Sequence, residues 1–181
     1  MKDVSLYEEI FAAVDGETQD LGDDADEDTL SSLSLKFTSK VSNLEQMCYI
    51  MEKVLLRKPS DATVYAGFQK VSRARAIWDR YQELADNVDK VYLFGEKDDD
   101  LPPHEDIEFV YLPKNHQMVR EWFLVIDKKI GSNMMVAYDE DGFGVDDLKK
   151  DRNFKGAKTT KPEMIDKAVD LLQDVIEDIN G

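Results

Sequence analysis

The amino-acid pattern predicts an α/β fold, a mixed sheet of about five strands flanked by helices. Three observations carry that expectation. Residues 62–68 and 90–94 are strand-forming runs on either side of a helical pattern, the crossover unit that joins parallel strands. Residues 107–112 add a third run, Ile-Glu-Phe-Val-Tyr-Leu. Two adjacent apolar runs, 121–126 and 134–138, are joined by about seven residues containing Gly131 and read as an antiparallel hairpin at the sheet's end.

Along the chain, Leu6, Ile10 and Val14 lie four apart with Tyr7 and Phe11 beside them, which predicts a short amphipathic helix over 5–14. The following stretch, 15–28, carries Asp20, Asp23, Asp24, Asp26, Glu27 and Asp28 with two glycines and reads as a mobile linker without structure of its own. Residues 1–32 are therefore set apart as an N-terminal helix and acidic linker, and 33–181 as the folded domain. From Phe37, the positions Val41, Leu44, Cys48, Met51 and Leu55 write one apolar stripe on a helix that ends near Pro59. The same spacing is a heptad, so the stripe either lies on a sheet or forms the seam of a homodimer.

The run at 62–68 (Ala-Thr-Val-Tyr-Ala-Gly-Phe) lacks alternation, as expected of a central strand covered on both faces. Val71, Ala74, Trp78, Tyr81, Ala85 and Val88 step by three and four through the connecting helix. Charge and two prolines make 98–103 a surface loop. After the hairpin comes a polar stretch rich in glycine and lysine. Thr160, Pro162 and Glu163 then mark a helix start, with Ile165, Ala168, Leu172, Val175 and Ile179 as its buried stripe.

Composition bounds the function. The chain has 181 residues, 42% of them hydrophobic, enough for one domain with a real core. With 39 acidic against 23 basic side chains the formal charge is −16, which repels phosphate backbones and anionic lipid, so neither nucleic acid nor membrane is an expected partner. The lone Cys48 makes no intrachain disulfide, and no run approaches the roughly 18–20 apolar residues needed to cross a bilayer. The expected location is the cytoplasm.

Catalytic motifs are missing one after another. No GxGxxG follows the first strand, which runs on through Gly67, Phe68, Gln69 and Lys70, and there is no GxxxxGK[ST] or GxSxG. Cys48 lies mid-helix, away from anything that would stabilise a thiolate. His104 and His116 read as surface residues with no metal-binding spacing, so no metal is expected. An Asp139-Glu140-Asp141-Gly142 calcium loop fails its register, which would start on Ala137 and end on Leu148. Met47, Met51, Met134 and Met135, like most of the aromatics, read as core. Polar residues at the edges of the apolar elements are more informative. Gln69 at a strand end beside Arg73, and Arg120 with Glu121, could contact an acidic or carbonyl ligand. With Trp78 and Trp122 as stacking surfaces they make the candidate ligand-binding set Gln69, Arg73, Trp78, Arg120, Glu121 and Trp122.

Two stretches are similar to a known family. Val64-Tyr65-Ala66-Gly67-Phe68-Gln69, with Arg73, Trp78 and Tyr81 after it and Val91-Tyr92-Leu93-Phe94 on the next strand, resembles the DICT domain. So does Val119-Arg120-Glu121-Trp122-Phe123-Leu124-Val125-Ile126, and the helix holding Leu44, Met51 and Glu52 fits that family's opening helix. The resemblance spans about 37–138. It implies a sensory input rather than catalysis, with a two-component histidine kinase or a diguanylate cyclase as signalling partner and no catalytic residues to carry over. With no GGDEF segment, kinase site or receiver domain in the sequence, a stand-alone sensor is expected. It would bind a small ligand or a partner protein, its cofactor unknown; the alternative is an adaptor that docks a basic partner on its acidic surface.

Overall fold

Residues 63–70 show why the sheet forms where it does. Val64, Ala66 and Phe68 point to one side, Tyr65 and Gly67 to the other, and six of the eight residues are buried, so neither face of this strand meets water. The computed structural model, which describes residues 2–142 and 152–181, places this strand deep in a single mixed sheet. The strands are Thr18–Asp20 (β1), Leu35–Lys40 (β2), Thr63–Lys70 (β3), Lys90–Glu96 (β4), Ile107–Tyr111 (β5), Glu121–Asp127 (β6), Asn133–Asp139 (β7) and Asn153–Thr159 (β8). Their order across the sheet is β1-β2-β8-β7-β6-β3-β4-β5. The helices are Leu6–Phe11 (α1), Glu27–Leu30 (α2), Val41–Leu56 (α3), Trp78–Asp86 (α4) and Pro162–Asn180 (α5), with 3-10 helices at Val71–Ile77 and Gln117–Arg120.

The α/β class and the β3-to-β4 crossover agree with the sequence reading: β3, β4 and β5 run parallel, and β6 and β7 form the antiparallel hairpin. Two apolar layers cover the sheet. One joins α2, α3 and α4 to Leu124, Ile126 and Phe154; the other joins α1 and α5 to Tyr65, Phe123 and Val125. The stripe of α3, including Leu44, Met51 and Leu55, is buried in the first layer, so it serves the sheet and is not free for a dimer seam. Met47, Met51, Met134 and Met135 are core residues as expected.

The sheet has eight strands rather than five, and each addition has a physical cause. Phe37, expected at the start of a helix, is the centre of β2, whose Leu35, Phe37 and Ser39 point inward in strict alternation; the helix begins only at Val41. The acidic stretch 15–28 is not a structureless linker, because its middle hydrogen-bonds to β2 as the parallel edge strand β1 and its end opens α2, capped by Asp26. The polar stretch after the hairpin contains β8, which pairs with both β2 and β7 and closes the gap between the two halves of the sheet. Gly156 and Lys158 hide it from an apolar-run search: any side chain at Gly156 would press on Val136 O and the Phe37 ring, and Lys158 is buried. As a result the hairpin sits mid-sheet, not at its end. Leu148, the far end of the rejected calcium register, lies outside the described residues.

Smaller corrections follow. The connecting helix is 3-10 through Ile77 and α-helical only from Trp78. The cap of α5 is Lys161 rather than Thr160, with Thr159 Oγ1 accepting the Lys161 N–H at 3.1 Å. His116 is buried, not a surface residue: its Nδ1 accepts the Met118 N–H, and its Nε2 lies 3.1 Å from the Lys2 carbonyl.

Candidate functional site

At the carboxyl end of β3 the backbone leaves the sheet through Gln69, whose φ of 66° is the only left-handed value at a non-glycine among the described residues. Such a conformation costs about 1–3 kcal/mol and persists only when its surroundings hold it. Here the buried side chain is fully engaged. Gln69 Nε2 donates to Asp139 Oδ2 at 3.1 Å, and its Oε1 accepts from Arg152 at 3.2 Å and from Arg73. Arg152 also donates to Asp139 Oδ2 at 2.7 Å, both side chains almost wholly buried. Thus β3, β7 and the residue that leads into β8 are tied together by an amide, a carboxylate and a guanidinium at one end of the sheet. Arg120 extends the network, donating to the Asp139 carbonyl at 2.8 Å while its guanidinium lies over the Tyr138 ring.

Beside this network a cleft of about 540 Å³ opens between α3, the Val71–Ile77 turn with α4, and the sheet. That volume is ordinary for a small-molecule site. Phe68, Tyr81, Trp122 and Leu124 supply its apolar walls, and Arg73, Arg80, Arg152, Glu45 and Glu52 its charged groups. Cys48 is part of the lining, but burial pushes its thiol well above the ordinary range, so it is not a nucleophile at neutral pH. Glu52 is fully buried and pairs with Arg80 Nη2 at 2.9 Å. Burial pushes its carboxyl up to about 7, against the pull of Arg80 and of Tyr81 beside it.

The six residues singled out in the sequence separate into four places. Arg73 and Trp122 line the cleft, and Gln69 stands behind it, bonded to two of its arginines. Trp78 turns away, stacking on Phe109 with centroids 5.6 Å apart and donating Nε1–H to the Pro102 carbonyl. Arg120 belongs to the strand-end network. Glu121 lies on the opposite face, where it accepts the Leu6 and Tyr7 backbone N–H groups at 3.0 and 3.3 Å and the Ser5 hydroxyl. Sequence reasoning missed Arg80, Glu52 and Arg152 as part of one site. Arg80 follows Trp78 on a helix whose apolar stripe drew attention instead, and Arg152 sits in a segment with no periodicity.

Among the described residues no group of three or more His, Cys, Asp or Glu could hold a metal ion, and no helix is long and apolar enough to cross a membrane. A mixed α/β sheet with a lined cleft at one strand end is the class of protein this geometry defines. The chain belongs to the DICT family, whose model, described as a sensory domain in diguanylate cyclases and two-component systems, matches residues 27–140. No curated protein matches. Among solved structures, part of the polyphosphate kinase from Porphyromonas gingivalis is similar, with a TM-score of 0.53 and 11% identity over 80% of this chain. The match spans 23% of that chain, and at this identity the likeness is one of fold.

Proposed function

We propose that this protein is a non-enzymatic sensor that binds a small ligand in the cleft beside Gln69 and passes the occupancy of that cleft to a histidine kinase or diguanylate cyclase in the cytoplasm. The observation that carries the reading is position: every residue lining the cleft except Arg152 falls within the segment matched by a sensory family. The cleft is also bordered by α3 and α4, which pack on each other through Glu52 and Arg80, so a ligand that shifts one helix against the other turns occupancy into a shift between conformations. The sensory unit is taken as residues 33–181, on which the N-terminal 1–32 packs through α1, the edge strand β1 and α2. In this proposal Arg73 and Trp122 contact the ligand, Gln69 orients Arg73 from behind, and Trp78, Arg120 and Glu121 hold the surrounding elements in place.

Native mass spectrometry of the purified protein, with thermal unfolding in the presence of extracted small molecules, tests the reading. A retained mass that disappears in Arg73→Ala and Trp122→Ala, while Trp78→Ala lowers stability instead, is the expected result. A protein that retains nothing and is stabilised by nothing would overturn it. The adaptor alternative draws support from the charge of −16 and from the exposed Asp98 and Asp100 of the 98–103 loop. Partner docking through that surface weakens steeply with salt, whereas ligand binding in an apolar cleft does not.

A further inference from the structure

The last strand of the sheet, β5, has an open side. In the parallel β4–β5 ladder the Val91 N–H donates to the Asp106 carbonyl at 2.8 Å and the Leu112 N–H to the Gly95 carbonyl at 3.0 Å, which commits the backbone groups of Glu108 and Val110 to β4. Phe109 and Tyr111, of the other parity, therefore aim their N–H and C=O groups away from the sheet, where no described residue bonds them. Nothing within β5 blunts this edge, for it has no proline, lysine or bulge, whereas the opposite edge, β1, is three residues long. On one face of the edge the rings of Trp78, Phe109 and Tyr111 stack each on the next, with centroids 5.6 and 5.9 Å apart, and Phe109 and Tyr111 are half-buried. The charge around the edge has one sign. Residues 96–108 hold seven carboxylates and one lysine, and Arg75, Lys90 and Lys114 from neighbouring elements pair with only three of the seven.

We infer that β5 is a docking edge for an extended, basic segment of a partner protein, which joins the sheet as a further strand. The segment's backbone pairs with the outward groups of Phe109 and Tyr111, and alternate apolar side chains lie along the ring stack. Its cations meet the carboxylates of Glu105, Asp106 and Glu108. A second copy of this chain fits less well, because pairing β5 with β5 sets these carboxylates against their own kind. The edge does not rest on the cleft being a ligand site; it is a contact for a partner whether or not the cleft is filled.

The probe is a fluorescein-labelled heptapeptide that alternates lysine and valine, followed by fluorescence anisotropy at low salt. It is expected to bind, and the same peptide with proline for its central valine, equal in charge, should bind about tenfold more weakly. Tyr111→Ala and Tyr111→Pro both remove the ring, but only proline also removes the outward N–H, which β4 does not use. Tyr111→Pro should therefore bind the peptide about tenfold more weakly than Tyr111→Ala. If Tyr111→Pro fails to fold by circular dichroism, amide exchange of the wild-type protein read by NMR replaces it: the Phe109 and Tyr111 N–H groups should become protected when the peptide binds. Equal binding of the two peptides, equal binding by the two variants, or no added protection at Phe109 and Tyr111 would mean adsorption onto an acidic surface and overturn strand addition, as would no binding. Self-association of the protein alone that Tyr111→Pro abolishes would give the edge to a second copy and overturn the partner assignment. None of these results touches the cleft, where a retained ligand depends on Arg73 and Trp122.

Discussion

Glu121, the first residue of β6, accepts the backbone N–H of Leu6 at 3.0 Å, so a buried carboxylate on the sheet holds the first turn of the N-terminal helix 115 residues away in sequence. Ser5 both caps that helix through Glu8 and donates to the same carboxylate, and Tyr7 stacks on Tyr138 with centroids 5.4 Å apart. The N-terminal helix and its flanks, residues 5–14, thereby become a strap across one face of the sheet.

Replacing Glu121 with leucine should release that strap. Three donors lose one acceptor, a loss of about 2–3 kcal/mol, whereas Ser5→Ala, which removes a single cap, should cost about 1 kcal/mol. Hydrogen exchange read peptide by peptide should show protection falling first in residues 5–14. Uniform loss of protection across the sheet would contradict a strap that detaches locally.

Stability should fall as pH rises from 5 to 8. Glu52 and Glu121 are both pushed up to about 7, by burial first, from an unfolded value near 4.5. The folded chain therefore binds more protons than the unfolded chain between those values, and the stabilisation present below 4.5 is lost as pH climbs through 7. Exposed carboxylates lowered by partners, such as Asp15 and Asp99, act only below that window. Each buried group contributes on the order of 1–3 kcal/mol. Urea midpoints at pH 5 and 8 measure the slope, which Glu52→Gln and Glu121→Gln should each flatten.

Gly67 is a contact rather than a hinge. A methyl group there would lie 2.3 Å from the Phe123 ring, which crosses the glycine from the neighbouring strand and packs on Phe94. Gly67→Ala should destabilise by about 1–3 kcal/mol, the usual cost of overpacking, and Phe123→Leu in the same chain should recover part of it. Chemical denaturation of the single and double variants decides the matter; additive losses would place the ring elsewhere.

Breaking the Asp139–Arg152 pair from one side should cost more than removing both partners. Each charge is buried, so Asp139→Asn or Arg152→Met alone strands the other, at about 3–5 kcal/mol. The double variant should lose clearly less than the sum. Simple additivity in a double-mutant cycle would mean that the two charges do not depend on each other.

How much of this was legible follows from how each signal is written. The β3-to-β4 crossover and the β6–β7 hairpin announce themselves as apolar runs of strand length, and α3 and α5 as stripes with steps of three and four, because burial on one or two faces leaves a period in the chain. β1 and β8 leave none. β1 is exposed throughout and is held by backbone bonds to β2, and β8 is polar enough to pass for a loop although it lies between two strands. Arg73 and Trp122 were visible as polar and aromatic marks near strand ends. Glu52 and Arg80 were not visible as a pair, because 28 residues separate them and only the packing of α4 against α3 brings them to 2.9 Å.

The sequence by itself determined the class of the fold, the family, and which helix faces turn inward, since these depend on local periodicity and on short motifs. Tertiary structure alone decided that the acidic segment joins the sheet, that Glu121 serves the N-terminal helix and not the cleft, and that three arginines converge on one site in an acidic protein. The reason is physical: burial by a neighbouring element depends on which segments meet in space, and a chain records its own faces far more plainly than it records its neighbours.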